Sequence, residues 1–144
     1  MKPVLFVLLI LTTKNTVAQG GIDMIKNQPY MKLAHIVNCQ NQDNELTAKI
    51  CANLEFQKAD SLLTITYNNL LQNCKNSKES KLAQKIISLQ NKWRVLRDLH
   101  CGIVWDLQGT QAGTTKVIEY LNCLTEMTKN RTQELQNIYR SLVF

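Results

Sequence analysis

Apolar and polar positions fall into three long helical patterns separated by two polar breaks. The first begins near Asn44. Asn41, Asp43 and Asn44 there carry the short side chains that cap the exposed amides of a helix start. Its apolar positions are Ala52, Phe56, Ala59, Leu63, Tyr67, Leu70 and Cys74, in steps of four and three, the period of a helix. No proline or glycine interrupts the run from Asn44 to Cys74. A polar stretch from Asn73 to Ser77 then reads as a turn, and Asn76 with Glu79 has the spacing of a capping box. A second helix is expected from about Lys78 to Trp105, burying Leu82, Ile86, Leu89, Trp93, Leu96, His100 and Ile103. Gly109-Thr110-Gln111-Ala112-Gly113 breaks it. Thr114 or Thr115 can cap a third helix, whose face reads Val117, Leu121, Leu124, Met127, Arg131, Leu135 and Ile138. Arg131 is the polar exception on that face.

Short links make consecutive helices antiparallel neighbours. The fold class expected is therefore all-α, an antiparallel three-helix bundle with long helices. Folding the chain back about its two breaks sets Cys51, Cys101 and Cys123 at one level. Asp60, Trp93 and Arg131 fall at another, with Glu55 and Arg97 between them. The stretch from Gln90 to Cys101 thus becomes the strip to which the other helices bridge. Upstream, Gln19 to Asn38 contains Gly20-Gly21 and Pro29 and reads as coil, with a helical turn around Met31 to Ile36.

The first residues change the picture of where the protein works. Met1-Lys2-Pro3 is a short basic start, Val4 to Leu11 is uninterrupted apolar sequence, and Thr16-Val17-Ala18 precedes Gln19 with a small residue at the cleavage position. This is the pattern of a secretory signal peptide cut after Ala18. The apolar run is far shorter than the roughly 20 residues a membrane-spanning helix requires. The chain therefore divides into a signal peptide at 1–18, an irregular segment at 19–43 and a helical domain at 44–144, with a periplasmic or secreted destination. Cleavage removes two lysines and no acid, so the formal charge falls from +6 to +4. The lysines are scattered. No basic stripe with interleaved aromatics is present, which argues against nucleic-acid binding.

Five cysteines follow the signal: Cys39, Cys51, Cys74, Cys101 and Cys123. In an exported chain they point to disulfides. Cys39 with Cys51 closes a local loop at the start of the first helix, and Cys101 with Cys123 pins the second helix to the third; this pair of pairs is favoured. Cys51 with Cys101 and Cys39 with Cys123 also satisfies the levels. Cys74 is left over, as a buried unbridged thiol or an intermolecular bridge. No Cys-x-x-Cys or His-x-x-x-His spacing supports a metal site, and His35 and His100 show no ligand pattern. The polar residues Asp60, Gln90, Arg97, Asp98 and Arg131, with Trp93 and Tyr67 beside them, are expected to form a structural network tying the helices in register. Nothing resembles a nucleophile–base pair or a phosphate loop, so neither an enzyme nor a cofactor is expected.

These residues also carry a resemblance. Cys39 and Cys51, Ala59-Asp60, Leu63, Tyr67 and Leu70, then Gln90-x-x-Trp93-x-x-x-Arg97-Asp98-x-x-Cys101, Cys123 and Arg131-x-x-x-Leu135 form an ordered skeleton from about Asn38 to Tyr139. It resembles the LprI-type lysozyme inhibitors, small exported bacterial domains. The resemblance implies a disulfide-bonded helical domain of the cell envelope or exterior. It also implies a lysozyme-like muramidase as partner. The polar, glycine-containing stretch Leu107 to Thr115 is read first as a plain helix–helix connection, and second as a loop that enters the enzyme's cleft. The family pattern maps the four cysteines, Asp60, Tyr67, Trp93, Arg97 and Arg131 as structural residues; Cys74 lies outside it. The alternative is an interaction module of the bacterial envelope without lysozyme activity.

Overall fold

The computed structural model describes residues 25–76, 80–109 and 113–143. The signal-peptide segment, Glu79 of the expected capping box and the centre of the second break lie outside the described residues. Four helical elements occur and no strand is present among the described residues. A 3-10 helix covers Pro29–Ile36, followed by α1 (Glu45–Asn76), α2 (Ser80–Leu107) and α3 (Thr114–Val143).

Local chemistry sets the visible ends. Pro29 opens the 3-10 helix, where its missing amide proton and fixed φ do no harm. The Asn44 side chain accepts a hydrogen bond from the Thr47 amide at 2.8 Å and caps α1. Gly109, just past α2, takes a φ of 55°, and its amide donates to the Asp106 carbonyl at 3.1 Å. A side chain would be strained in that left-handed conformation, which is why α2 stops there.

The α1–α3 pair is the most extensive helix contact. Small side chains permit it: Ala59 and Thr66 are buried on α1, and Thr125, Thr128 and Thr132 on α3. The Thr125 and Thr132 hydroxyls donate to carbonyls one turn back, at 2.7 and 2.9 Å, so these polar groups are satisfied without partners on another helix. Two apolar clusters result. One gathers Leu63, Leu70, Cys74, Ala83, Ile86, Trp93 and Leu135; the other gathers Phe56, Cys101, Leu121 and Leu124, and Met127 borders both.

The buried face of α2 differs from the one expected. Leu89, Leu96 and Ile103 are 47%, 58% and 59% exposed, and His100 is also exposed. The inward positions are Ala83, Ile86, Gln90, Trp93, Arg97 and Cys101. That stripe is rotated by about one residue from the apolar one. Its members make specific cross-helix bonds that leucines do not: a disulfide from Cys101 and polar contacts from Gln90 and Arg97.

Disulfides join Cys39 to Cys51 and Cys101 to Cys123, with S–S distances of 2.07 and 2.08 Å. The first ties the segment after the 3-10 helix to the start of α1, and the second clamps the end of α2 to α3. Cys74 is in neither and is 0% exposed, so its sulfur is out of reach of another molecule.

Candidate functional site

Arg97 is the largest fully buried side chain of the described residues. A buried guanidinium is costly unless charges and donors are matched around it. Its Nε and Nη2 donate to Asp98 Oδ1 at 3.0 and 2.8 Å. Its Nη1 lies 3.9 Å from Asp60 Oδ1. The other Asp60 oxygen accepts from Lys26 Nζ at 2.6 Å. One ionic chain therefore runs from the N-terminal segment through α1 to α2.

A second polar group joins α2 to α3. Arg131 Nε donates to Gln90 Oε1 at 2.9 Å, and its Nη1 donates to Glu134 Oε2 at 2.7 Å. Trp93 lies between the two guanidinium groups, 5.1 Å from that of Arg97 and 5.8 Å from that of Arg131, measured to its rings. Phe56 faces Arg97 from α1 at 5.9 Å. These aromatic faces offer the cations an attraction that water no longer supplies. Arg131 Nη2 and Gln90 Nε2 are buried without a hydrogen-bond acceptor among the described residues.

Asp60, Gln90, Trp93, Arg97, Asp98 and Arg131 thus come together around α2. Tyr67 does not join them. It packs on the cluster of Leu63, Leu70 and Trp93, and burial raises its phenol above the ordinary 10.0, against the lowering field of Arg94. Glu55 faces α3 instead, within 3.1 Å of Lys129, and that hydrogen bond raises the lysine's pKa.

Sequence reasoning missed the anchoring of the N-terminal segment. Asn53 is fully buried; its amide donates to the Ile25 carbonyl at 2.8 Å and to the Tyr30 hydroxyl at 3.0 Å. Gln57 in turn donates to Asn53 Oδ1 at 3.0 Å. One polar residue at an inward helix position was the available signal. Burial raises the Tyr30 phenol, and the Asn53 hydrogen bond partly offsets it.

Asp60 and Asp98 are both held by cations. Asp60 on α1 faces both Lys26 of the N-terminal segment and Arg97 of α2, whereas the Arg97–Asp98 pair lies within α2. Among the described residues, no group of three His, Cys, Asp or Glu side chains is placed to hold a metal ion. No described helix is long and apolar enough to cross a membrane.

The class of protein defined by this geometry is a small all-helical domain closed by two disulfides around a buried arginine network. The model of the family described as "Lysozyme inhibitor LprI" matches residues 38–135, and the chain belongs to that family. The description is that of an inhibitor rather than an enzyme. No curated protein and no solved structure matches the chain.

Proposed function

We propose that this chain is an exported binding protein that inhibits a lysozyme-like muramidase. The observation that carries the reading is the family match over residues 38–135. The amino-terminal pattern of a basic start, apolar run and small residue at position 18 supports export to the periplasm or beyond. The three long helices are read as an antiparallel bundle, with 44–144 as the functional unit. Asp60, Tyr67, Gln90, Trp93, Arg97, Asp98 and Arg131 serve as its frame rather than as the inhibitory surface. The approach to the second break is the first place to look for that surface, because Leu107 is 79% exposed there.

The test is lysis of a peptidoglycan suspension by acidic and basic lysozymes, with and without the oxidised protein. Dose-dependent inhibition of one class is expected, lost on reduction of the disulfides and weakened by Leu107→Asp. A folded, helical protein that inhibits no member of the panel refutes it. One observation favours the second reading, an envelope interaction module without lysozyme activity. Leu89, Leu96, Leu99 and Ile103 form an exposed apolar line along α2, the kind of face that meets another helix.

A further inference from the structure

A cleft of about 530 Å³ opens at the end of the molecule where the N-terminal segment crosses α1, α2 and α3. Its size is that of a small-molecule site, which typically spans roughly 300–1,000 Å³. Tyr30, Lys49, Gly102, Trp105, Val117 and Tyr120 line it. None of these residues belongs to the arginine network.

The walls are fixed. Asn53 holds the Ile25 carbonyl and the Tyr30 hydroxyl, so the segment that closes one side is tied to α1. Trp105 and Tyr120 meet edge to face at 5.7 Å on the other. Gly102 keeps the space open: a methyl group on it would meet nothing within 4 Å.

Two lysines stand over the aromatic walls of the cleft. Lys49 Nζ sits 4.4 Å from the centre of the Tyr30 ring, and Lys116 Nζ sits 4.5 Å from that of Trp105. Neither ammonium is in an ion pair among the described residues, whereas Lys26 and Lys129 both are. No carboxylate lines the cleft among the described residues. Lys49 lines the cleft, while Lys116 stands beside it over Trp105, its ammonium also donating to the Gly109 carbonyl at 3.4 Å. An apolar, aromatic cavity with these two cations beside it is complementary to an apolar body carrying one negative head.

We propose that this cleft binds a small anionic amphiphile, an acyl or aromatic body with a carboxylate or phosphate head. The body fills the space beside Gly102, between Val117 and the rings of Tyr30, Trp105 and Tyr120. The head meets Lys49 and Lys116. This site is independent of muramidase inhibition and stands or falls separately.

The experiment is calorimetric titration of the oxidised protein with monomeric dodecanoate and dodecyl phosphate, followed in parallel by tryptophan fluorescence. Dodecanol and inorganic phosphate are the controls for body and head alone. Saturable binding of one amphiphile per chain is expected, with a change in Trp105 emission. Gly102→Phe should abolish it by filling the cleft, while Gly102→Ala, equally folded by circular dichroism, should leave most of it. Lys49→Gln with Lys116→Gln should weaken it by roughly tenfold or more, as the loss of charge-assisted bonds implies. The proposal is overturned by the absence of saturable binding, by equal binding of dodecanol, or by binding that survives Gly102→Phe in a folded protein. Sedimentation with phosphatidylglycerol vesicles that Gly102→Phe does not alter, without dodecanoate binding, also overturns it.

Discussion

Leu96 and Arg97 are neighbours whose burial is the reverse of their hydropathy. Leu96 is 58% exposed and Arg97 is 1% exposed. Leu96→Gln should therefore change the free energy of unfolding by no more than about 0.5 kcal/mol, as at other surface sites. Arg97→Ala should cost on the order of 3–5 kcal/mol, because it breaks a buried ionic group and leaves Asp98 without its partner. Arg97→Met should recover part of that loss, since a packed apolar chain removes the desolvation cost of the cation. Urea denaturation of the three variants checks all of this; a larger loss at Leu96 than at Arg97 would contradict the buried face assigned to α2. Gly102 lies inside α2 with open space beside it, so Gly102→Ala should raise stability by about 0.5–1 kcal/mol through helix propensity.

Among the elements, α2 depends most on its clamps. The Cys101–Cys123 bridge fixes its end to α3, and Gln90 with Arg131 fixes its middle. Replacing both cysteines by serine should cost about 2–4 kcal/mol in the same denaturation experiment. Only a small loss would mean that the polar contacts hold α2 alone. The helices themselves were legible in the sequence, because steps of three and four and the Asn44 cap are local signals. The rotation of α2 was not. Two stripes with helical period run along it side by side, and periodicity favours the more apolar one. What selects the other is the identity of its partners on α1 and α3, which no local pattern encodes. The 3-10 helix was foreseen only as a turn at Met31 to Ile36, and it extends back to Pro29.

For the whole molecule, burial of three phenols predicts the response to alkali. Tyr30, Tyr67 and Tyr120 all have pKa values raised above 10.0, each chiefly by desolvation; at Tyr120 the charge of Asp98 adds to the rise and that of Arg97 opposes it. The unfolded chain therefore loses these protons first. The stability they contribute is complete below pH 10 and is lost as pH rises through the higher folded values. Lys129, raised by Glu55, acts in the same direction above 10.5. Denaturation midpoints should fall between pH 9 and pH 11, and Tyr120→Phe should reduce that fall; an unchanged slope would mean that the phenol is not desolvated in solution. Of the candidate site, the arginines, Trp93 and the paired cysteines could be named from the chain, because unusual residues at inward helical positions stand out. The parts that come from the edges, Asn53 holding the N-terminal segment and the aromatic cleft with Lys49 and Lys116, could not. The sequence by itself determined the helices, their breaks and the residues able to cross-link them, since these follow from periodicity, capping and side-chain chemistry within a few positions. Only the tertiary structure decided which face of α2 turns inward and where the N-terminal segment lies, because both depend on bonds between residues far apart in the chain.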